Sequence, residues 1–249
     1  IADEGANLVI GTSFDFLAAM LEAAPNNPDV RFLLCSGFVD GPNLGSYFAR
    51  MYMPKWLAGR LAGRMTKTGR IGVMGPVVIP ETVRHINAFA LGVRSVNPDA
   101  VVMVRWIGEW FDIEAETAAT QELIDLNADI LITGTDTPTL LTVADGQRTE
   151  AGDPIYTIGY DNPDTCKFAP DTCLTSLYYN WGPMLEEIIT DMGVGTWDPT
   201  APVWEPMRGD AARSGAYVSP INEDLVDVAT IIDIEESLAS LASGDIDIA

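Results

Sequence analysis

The chain has 249 residues, 47% of them hydrophobic, and carries 14 basic against 36 acidic residues for a formal net charge of −22 at pH 7. That length allows one large domain or two lobes with a sizeable core. The acidic balance excludes nucleic-acid binding, which needs a basic face for phosphate, and no apolar run approaches the roughly 20 residues of a membrane span. The acidity itself fits either simple solubility or a saline habitat, where salt screens self-repulsion.

The opening residues read as the tail of a helix, and Ile1 is not a methionine, so a preceding segment is expected to be missing. Leu8, Val9 and Ile10 then read as a strand that runs into Gly11-Thr12-Ser13-Phe14. The pattern continues with a short helix over 15–24 ended by Pro25, a strand over 30–35 and a long helix over 46–65. A strand over 70–74 leads to Gly75-Pro76. Pro80 suits the first turn of a helix, where its missing N–H is no loss. Val83, Ile86, Phe89, Ala90 and Val93 give that helix one apolar face, and Asn97-Pro98 stops it. Val101 to Val104 form a β-branched run of the kind expected in a strand buried on both sides. Trp106, Trp110 and Phe111 follow around Gly108, and Asp112 is placed to cap the next helix, over 114–126.

Strands over 129–132, 154–158 and 174–177 alternate with helices over 137–144 and 183–192. The Gly-, Pro- and Trp-rich stretch 193–217 reads as irregular or as edge strands, and a last helix covers 222–242. Repeated strand–helix alternation predicts an α/β fold with parallel sheets covered on both faces. Ligands of such sheets bind beyond the carboxyl ends of the strands. The residues there are small, aromatic or acidic: Ser13 and Phe14, Gly37 and Phe38, Trp106 and Trp110, Thr135 and Asp136, Tyr160 and Asp161, Asn180 and Trp181. That composition suits stacking on a ring and accepting hydrogen bonds from a polar ligand.

Much enzyme chemistry has no residues to carry it. His85 is the sole histidine, inside a helix, where it reads as solvated or hydrogen-bonded. No nucleophile elbow, G-x-G-x-x-G or phosphate-binding P-loop is present, and no metal site or cofactor is expected. Asp136 and Asp161 are candidate acid–base carboxylates, but strand-end aspartates more often cap helices or hold ligand hydroxyls. Cys35 reads as a small buried hydrophobe. Cys166 and Cys173 flank a short loop with Pro170. They are either two reduced thiols or, in an oxidising compartment, a disulfide that contributes about 2–3 kcal/mol.

The ordered set Gly11-Thr12-Ser13-Phe14, Ile79-Pro80-Glu81 with Ile86-Asn87-Ala88, Trp110-Phe111-Asp112, Gly159-Tyr160-Asp161 and Asn180-Trp181-Gly182-Pro183 resembles the basic membrane protein (BMP) family. These are substrate-binding proteins of ABC transporters, related to purine-nucleoside receptor lipoproteins. The resemblance implies a type I periplasmic-binding fold of two hinged parallel-sheet lobes that hold a purine base or nucleoside between them, with an ABC permease as partner. It implies a periplasmic or extracellular protein, attached to membrane only by a lipid anchor outside this chain, with Cys166 and Cys173 oxidised. The expected lobes are 1–106 with 177–198, and 107–176 with 199–249. The first is expected to be incomplete, with an apolar sheet edge near Leu8, and a closing strand pair to lie beyond Ala249. By position, Ser13 and Phe14 resemble first-lobe contacts, Trp110 a cleft aromatic, Asp136 and Asp161 second-lobe polar contacts, and Asn180 and Trp181 the segment that returns to the first lobe. For Trp110 and Trp181 the competing role is core packing or hinge support. Two alternatives are a ligand-sensing receptor or regulator on the same fold, and a nucleoside hydrolase acting through Asp136 and Asp161.

Overall fold

The structure, a computed structural model, describes residues 4–248; the helix tail expected at the start falls largely on residues 1–3, outside them. The chain divides into two compact units, Ile1–Arg50 with Asn180–Pro206, and Met51–Tyr179 with Met207–Ala249.

The first unit holds a four-stranded parallel sheet in the order β1-β2-β3-β9, formed by β1 (Leu8–Gly11), β2 (Arg31–Cys35), β3 (Leu44–Ala49) and β9 (Val203–Glu205). β1 forms one outer edge of that sheet and is only partly buried. Helix α1 (Leu17–Asn26) sets Met20 and Ala24 against Phe32, Leu34 and Leu44. It runs one residue past Pro25, because a proline in the last turn removes a single hydrogen bond without blocking the turn.

The residues read as the start of the long helix form a strand instead. β3 is buried along its whole length, and Tyr47 and Phe48 are shielded between β2 and β9. The helix α2 begins only at Tyr52 and ends at Met65. Apolar residues on both sides of a central parallel strand carry no period of two, so they merged with the helical run that follows.

The second unit holds a six-stranded sheet in the order β10-β8-β7-β6-β4-β5: β4 (Arg70–Gly75), β5 (Val101–Trp106), β6 (Ile130–Ile132), β7 (Tyr156–Gly159), β8 (Cys173–Tyr179) and β10 (Ala216–Val218). All neighbours are parallel except β10, which pairs antiparallel with β8. β4 and β5, placed in the first lobe by the sequence, thus share a sheet with β6 to β8. The chain leaves the first unit directly after β3, about 55 residues earlier than the expected boundary at 106. β5 is the edge of this sheet and half-buried, with Val101 54% exposed, so its β-branched run reflects one packed face rather than two.

Helices α3 (Pro80–Val96), α4 (Ile113–Asp125), α5 (Thr139–Ala144) and α7 (Val228–Ser243) belong to this unit, and α6 (Trp181–Val194) to the first. Two glycines let α2 and α3 approach with backbones almost touching. A methyl group at Gly59 would overlap the Phe89 carbonyl, and one at Gly92 the Trp56 carbonyl. Asp112 caps α4 by accepting from the Ala115 N–H at 2.9 Å, as its position predicts. Asp129, buried before β6, accepts from Thr66 Oγ1 and from the Lys67 and Thr68 N–H groups at 2.5–2.8 Å, and so ties the α2–β4 turn to the sheet. Cys166 and Cys173 are joined by a disulfide with a Cα separation of 5.2 Å, and Cys35 is a buried thiol.

Candidate functional site

The strand order fixes where the second unit can hold a ligand. From β4 the chain moves outward to β5, then crosses back to place β6 on the other side of β4. β4 and β6 therefore flank a topological switch point, where loops diverge and leave a crevice at the carboxyl ends. A small cavity, about 20 Å³, lies there. Gly75 and Pro76 at the end of β4, Ile132 and Gly134 at the end of β6, Tyr160 after β7, and Lys55 and His85 from α2 and α3 contribute to its wall.

Lys55 is only 5% exposed. The close α2–α3 packing holds it inward, with its Nζ 4.0 Å above the Tyr160 ring and donating to the Thr133 carbonyl at 3.2 Å. Burial lowers its pKa to about 7, with the Asp161 carboxylate opposing the fall. Asp161 has a left-handed backbone, φ 68°, which aspartate tolerates better than most residues and which marks a position held by its surroundings. Desolvation raises its pKa and Lys55 draws it back, while solvent at its exposed edge limits the push. The Tyr160 hydroxyl meets the Tyr179 hydroxyl at 3.0 Å, and burial pushes both well above the ordinary phenol range, so both stay protonated. His85 is buried rather than solvated, and burial, Lys55 and Arg84 together hold it neutral by lowering its pKa well below the usual value.

Beside this group stands a loop built from threonines. Glu116 on α4 is fully buried, and its Oε2 accepts from Thr135 Oγ1 at 2.9 Å and Thr137 Oγ1 at 2.5 Å. Thr133 and Thr139 extend the network at 2.8 and 2.7 Å. This clamp leaves Asp136 exposed at the loop's tip. The Asp136 N–H donates to the Trp110 carbonyl at 3.0 Å. The loop that carries Trp110 is fixed in turn, since the Ile107 and Gly108 N–H groups donate to the Gly75 and Pro76 carbonyls at 3.0 Å. Trp110 is partly buried, and its Nε1–H is shielded with no hydrogen-bond partner among the described residues. Trp106, by contrast, lies against Gly75, where a side chain of any size would strike the indole.

Of the residues singled out from sequence, Trp110 and Asp136 are thus joined through their backbones, and Asp161 stands near Lys55 and next to Tyr160. The other four belong to the first unit. Ser13 Oγ accepts weakly from the Asp15 N–H at 3.4 Å and caps a short turn. Phe14 stacks on the exposed Phe38 with centroids 6.0 Å apart. Asn180 precedes α6, and Trp181 packs edge-on to Tyr47 at 5.7 Å and tilted against Phe48 at 5.9 Å.

Sequence reasoning did not single out Lys55 or Glu116. For Lys55 a signal existed: the chain has only three lysines, and this one shares a helical stripe with Gly59, Ala62 and Gly63, a row of small residues that marks close packing. For Glu116 the run Thr133-Gly-Thr-Asp-Thr-Pro-Thr139 announced a hydroxyl-rich loop but not the carboxylate beneath it.

These largely parallel sheets give an α/β fold similar to that of periplasmic binding proteins. A solute-binding protein of an ABC transporter system from Aeropyrum pernix K1 matches the whole chain and 78% of its own length with a TM-score of 0.82, at 15% identity, which shows the shared fold. The chain belongs to the Bmp family, ABC transporter substrate-binding protein PnrA-like, whose model matches residues 1–202. The family consists of extracytoplasmic substrate-binding proteins rather than enzymes. A purine-binding protein of Brucella abortus is 33% identical over 246 residues, covering 99% of this chain and 66% of that one. A putative ABC transporter glucose-binding protein of Haloferax volcanii is 34% identical over 221 residues, 89% of this chain and 54% of that one. The chain therefore spans between about half and two thirds of the length of these relatives. Among the described residues no helix is long and apolar enough to cross a membrane.

Proposed function

We propose that this chain is the ligand-binding part of an extracytoplasmic receptor that delivers a purine base or nucleoside to an ABC permease. The observation that supports this reading is the backbone hydrogen bond from the Asp136 N–H to the Trp110 carbonyl, which ties together two strand-end loops of the second unit, one carrying an indole and the other an exposed carboxylate. Asp161 supplies a second acceptor, and Ser13, Phe14, Asn180 and Trp181 are the first unit's contribution to the same proposal. The receptor works by binding and release without covalent chemistry, and in the whole protein a lipid anchor outside this chain holds it at the membrane. A second reading, a hexose ligand, is favoured by the name of the Haloferax relative. Both are tested by thermal shift of the chain against purine bases, nucleosides and glucose. A ligand at 100 times its Kd adds about 2.7 kcal/mol of stability. Stabilisation by purines supports the first reading, and stabilisation by glucose alone replaces it with the second.

A further inference from the structure

We propose that Lys55 is a positioning residue: as an ammonium it latches together the two strand-end loops that carry Asp136 and Asp161, and on losing its proton it lets them loosen. The inference deepens the reading of this face as the ligand site, and rests on that reading for its effect on affinity.

The space beside Lys55 decides between contact and positioning. The cavity there has room for about one water, and neither Asp136 nor Asp161 lines it. A ligand ring does not enter, so Lys55 acts through the groups it already touches. Those groups stand at the roots of two loops. Its Nζ donates at 3.2 Å to the carbonyl of Thr133, just past β6, where the threonine loop that carries Asp136 begins. The same Nζ lies 4.0 Å from the ring of Tyr160, the residue before Asp161. One cation on α2 therefore joins the ends of β6 and β7. Both contacts weaken when the amine is neutral, because the hydrogen bond is charge-assisted and the attraction to the ring face belongs to the cation. A lysine kept for stability alone would meet a carboxylate directly, yet among the described residues Lys55 forms no ion pair within 4.0 Å.

The titratable groups around Lys55 are Asp161 and Tyr160 from the β7 end and His85 from α3. Arg84 and Glu81 of the same helix act on His85 and Tyr160 respectively. α7 presents Asp233 to Arg60 and Arg64 of α2 rather than to Lys55. His85 is neutral and Tyr160 protonated around neutral pH, and burial raises Asp161 while Lys55 draws it back. Lys55 itself is brought by burial to about 7, so the latch opens as pH rises through neutrality.

The test follows backbone amide chemical shifts by NMR from about pH 6 to about pH 8.5 in the wild type, Lys55→Met and Lys55→Arg, with melting curves to confirm folding. In the wild type the amides of Thr133, Thr135, Asp136, Tyr160 and Asp161 should shift in one common step with a midpoint of about 7. Both variants keep one charge state across that range and should lack the step. Hypoxanthine and adenosine affinities, measured by calorimetry over the same range, should fall in the wild type by about 5-fold or more as pH rises through the step, and stay nearly flat in the variants. Lys55→Met should bind as weakly as the wild type above the step while melting no lower at pH about 7, a combination that a merely structural lysine does not give. Lys55→Arg should bind like the wild type below the step. The absence of a common step, a step that persists in Lys55→Met and so belongs to Asp161 or His85, or a step with no change in affinity overturns the assignment. If neither ligand binds, the purine reading fails and the amide shifts alone decide the latch. If both bind without a step in either readout, the purine reading stands and the latch falls. Should Lys55→Met not fold, Lys55→Gln carries the same comparison.

Discussion

Trp110 in the second unit and Trp181 in the first were marked by the same argument, an aromatic just past a strand end, yet they occupy different surroundings. Trp181 lies between Tyr47 and Phe48, within an aromatic group that continues to Trp204, stacked on Phe48 at 5.8 Å. Among the described residues Trp110 has no such ring partners; loop hydrogen bonds position its backbone and tie it to that of Asp136. The two units differ in the same way. The first holds its strand-end residues through ring packing, and the second through buried polar groups, namely Lys55, Glu116 and a row of threonines. Apolar contact stabilises a fold directly, whereas a buried charge is weak evidence of stability and better evidence of a site.

The largest expected effect is on pH-dependent stability. Burial lowers the folded-state pKa of Lys55 to about 7, against an ordinary lysine value of 10.5. Between those values the unfolded chain binds more protons than the folded one, so stability rises with pH across that window, and below it the penalty is fully present. Lys55→Met removes the penalty. Its advantage over the wild type should shrink by on the order of 4 kcal/mol from pH 7 to pH 10.5. Urea titrations of both proteins at several pH values measure this, and a constant difference would show that Lys55 is solvated in the free protein. Trp181→Ala comes next, expected to destabilise by about 3 kcal/mol through loss of packing against Tyr47 and Phe48. A mutant that melts like the wild type would remove the contrast between the tryptophans. Glu116→Gln should cost about 1–2 kcal/mol, because it weakens charge-assisted hydrogen bonds to Thr135 and Thr137. It should also loosen Asp136, so ligand affinity should fall with it. A loss of stability with affinity intact would make the clamp purely structural.

The sequence showed the strand–helix alternation and the strand-end residues, because both depend on local pattern. Leu8 to Ile10, Pro80 and Asp112 each mark an element boundary that the structure places within a residue or two. β3 was hidden because a strand buried on both faces has no alternation, and with it went the position of the unit boundary. Lys55 and Glu116 were hidden for another reason. Charged residues in a helix are solvated by default, and only tertiary packing, here the contact of Gly59 and Gly92 with the opposite backbone for Lys55, turns one inward. The chemistry of a strand-end loop is legible from its own residues, but the buried groups that hold it come from distant segments.

The central claim, that the second unit's strand-end face binds a purine by stacking on Trp110, is tested most directly with Trp110→Ala, by measuring hypoxanthine affinity and melting temperature on the same sample. Stacking contributes about 1–3 kcal/mol per base, so affinity should fall by roughly one to two orders of magnitude while the ligand-free melting temperature stays near that of the wild type. Unchanged affinity in a folded mutant, or a large drop in melting temperature without ligand, would contradict the account and return Trp110 to the role that packing gives Trp181.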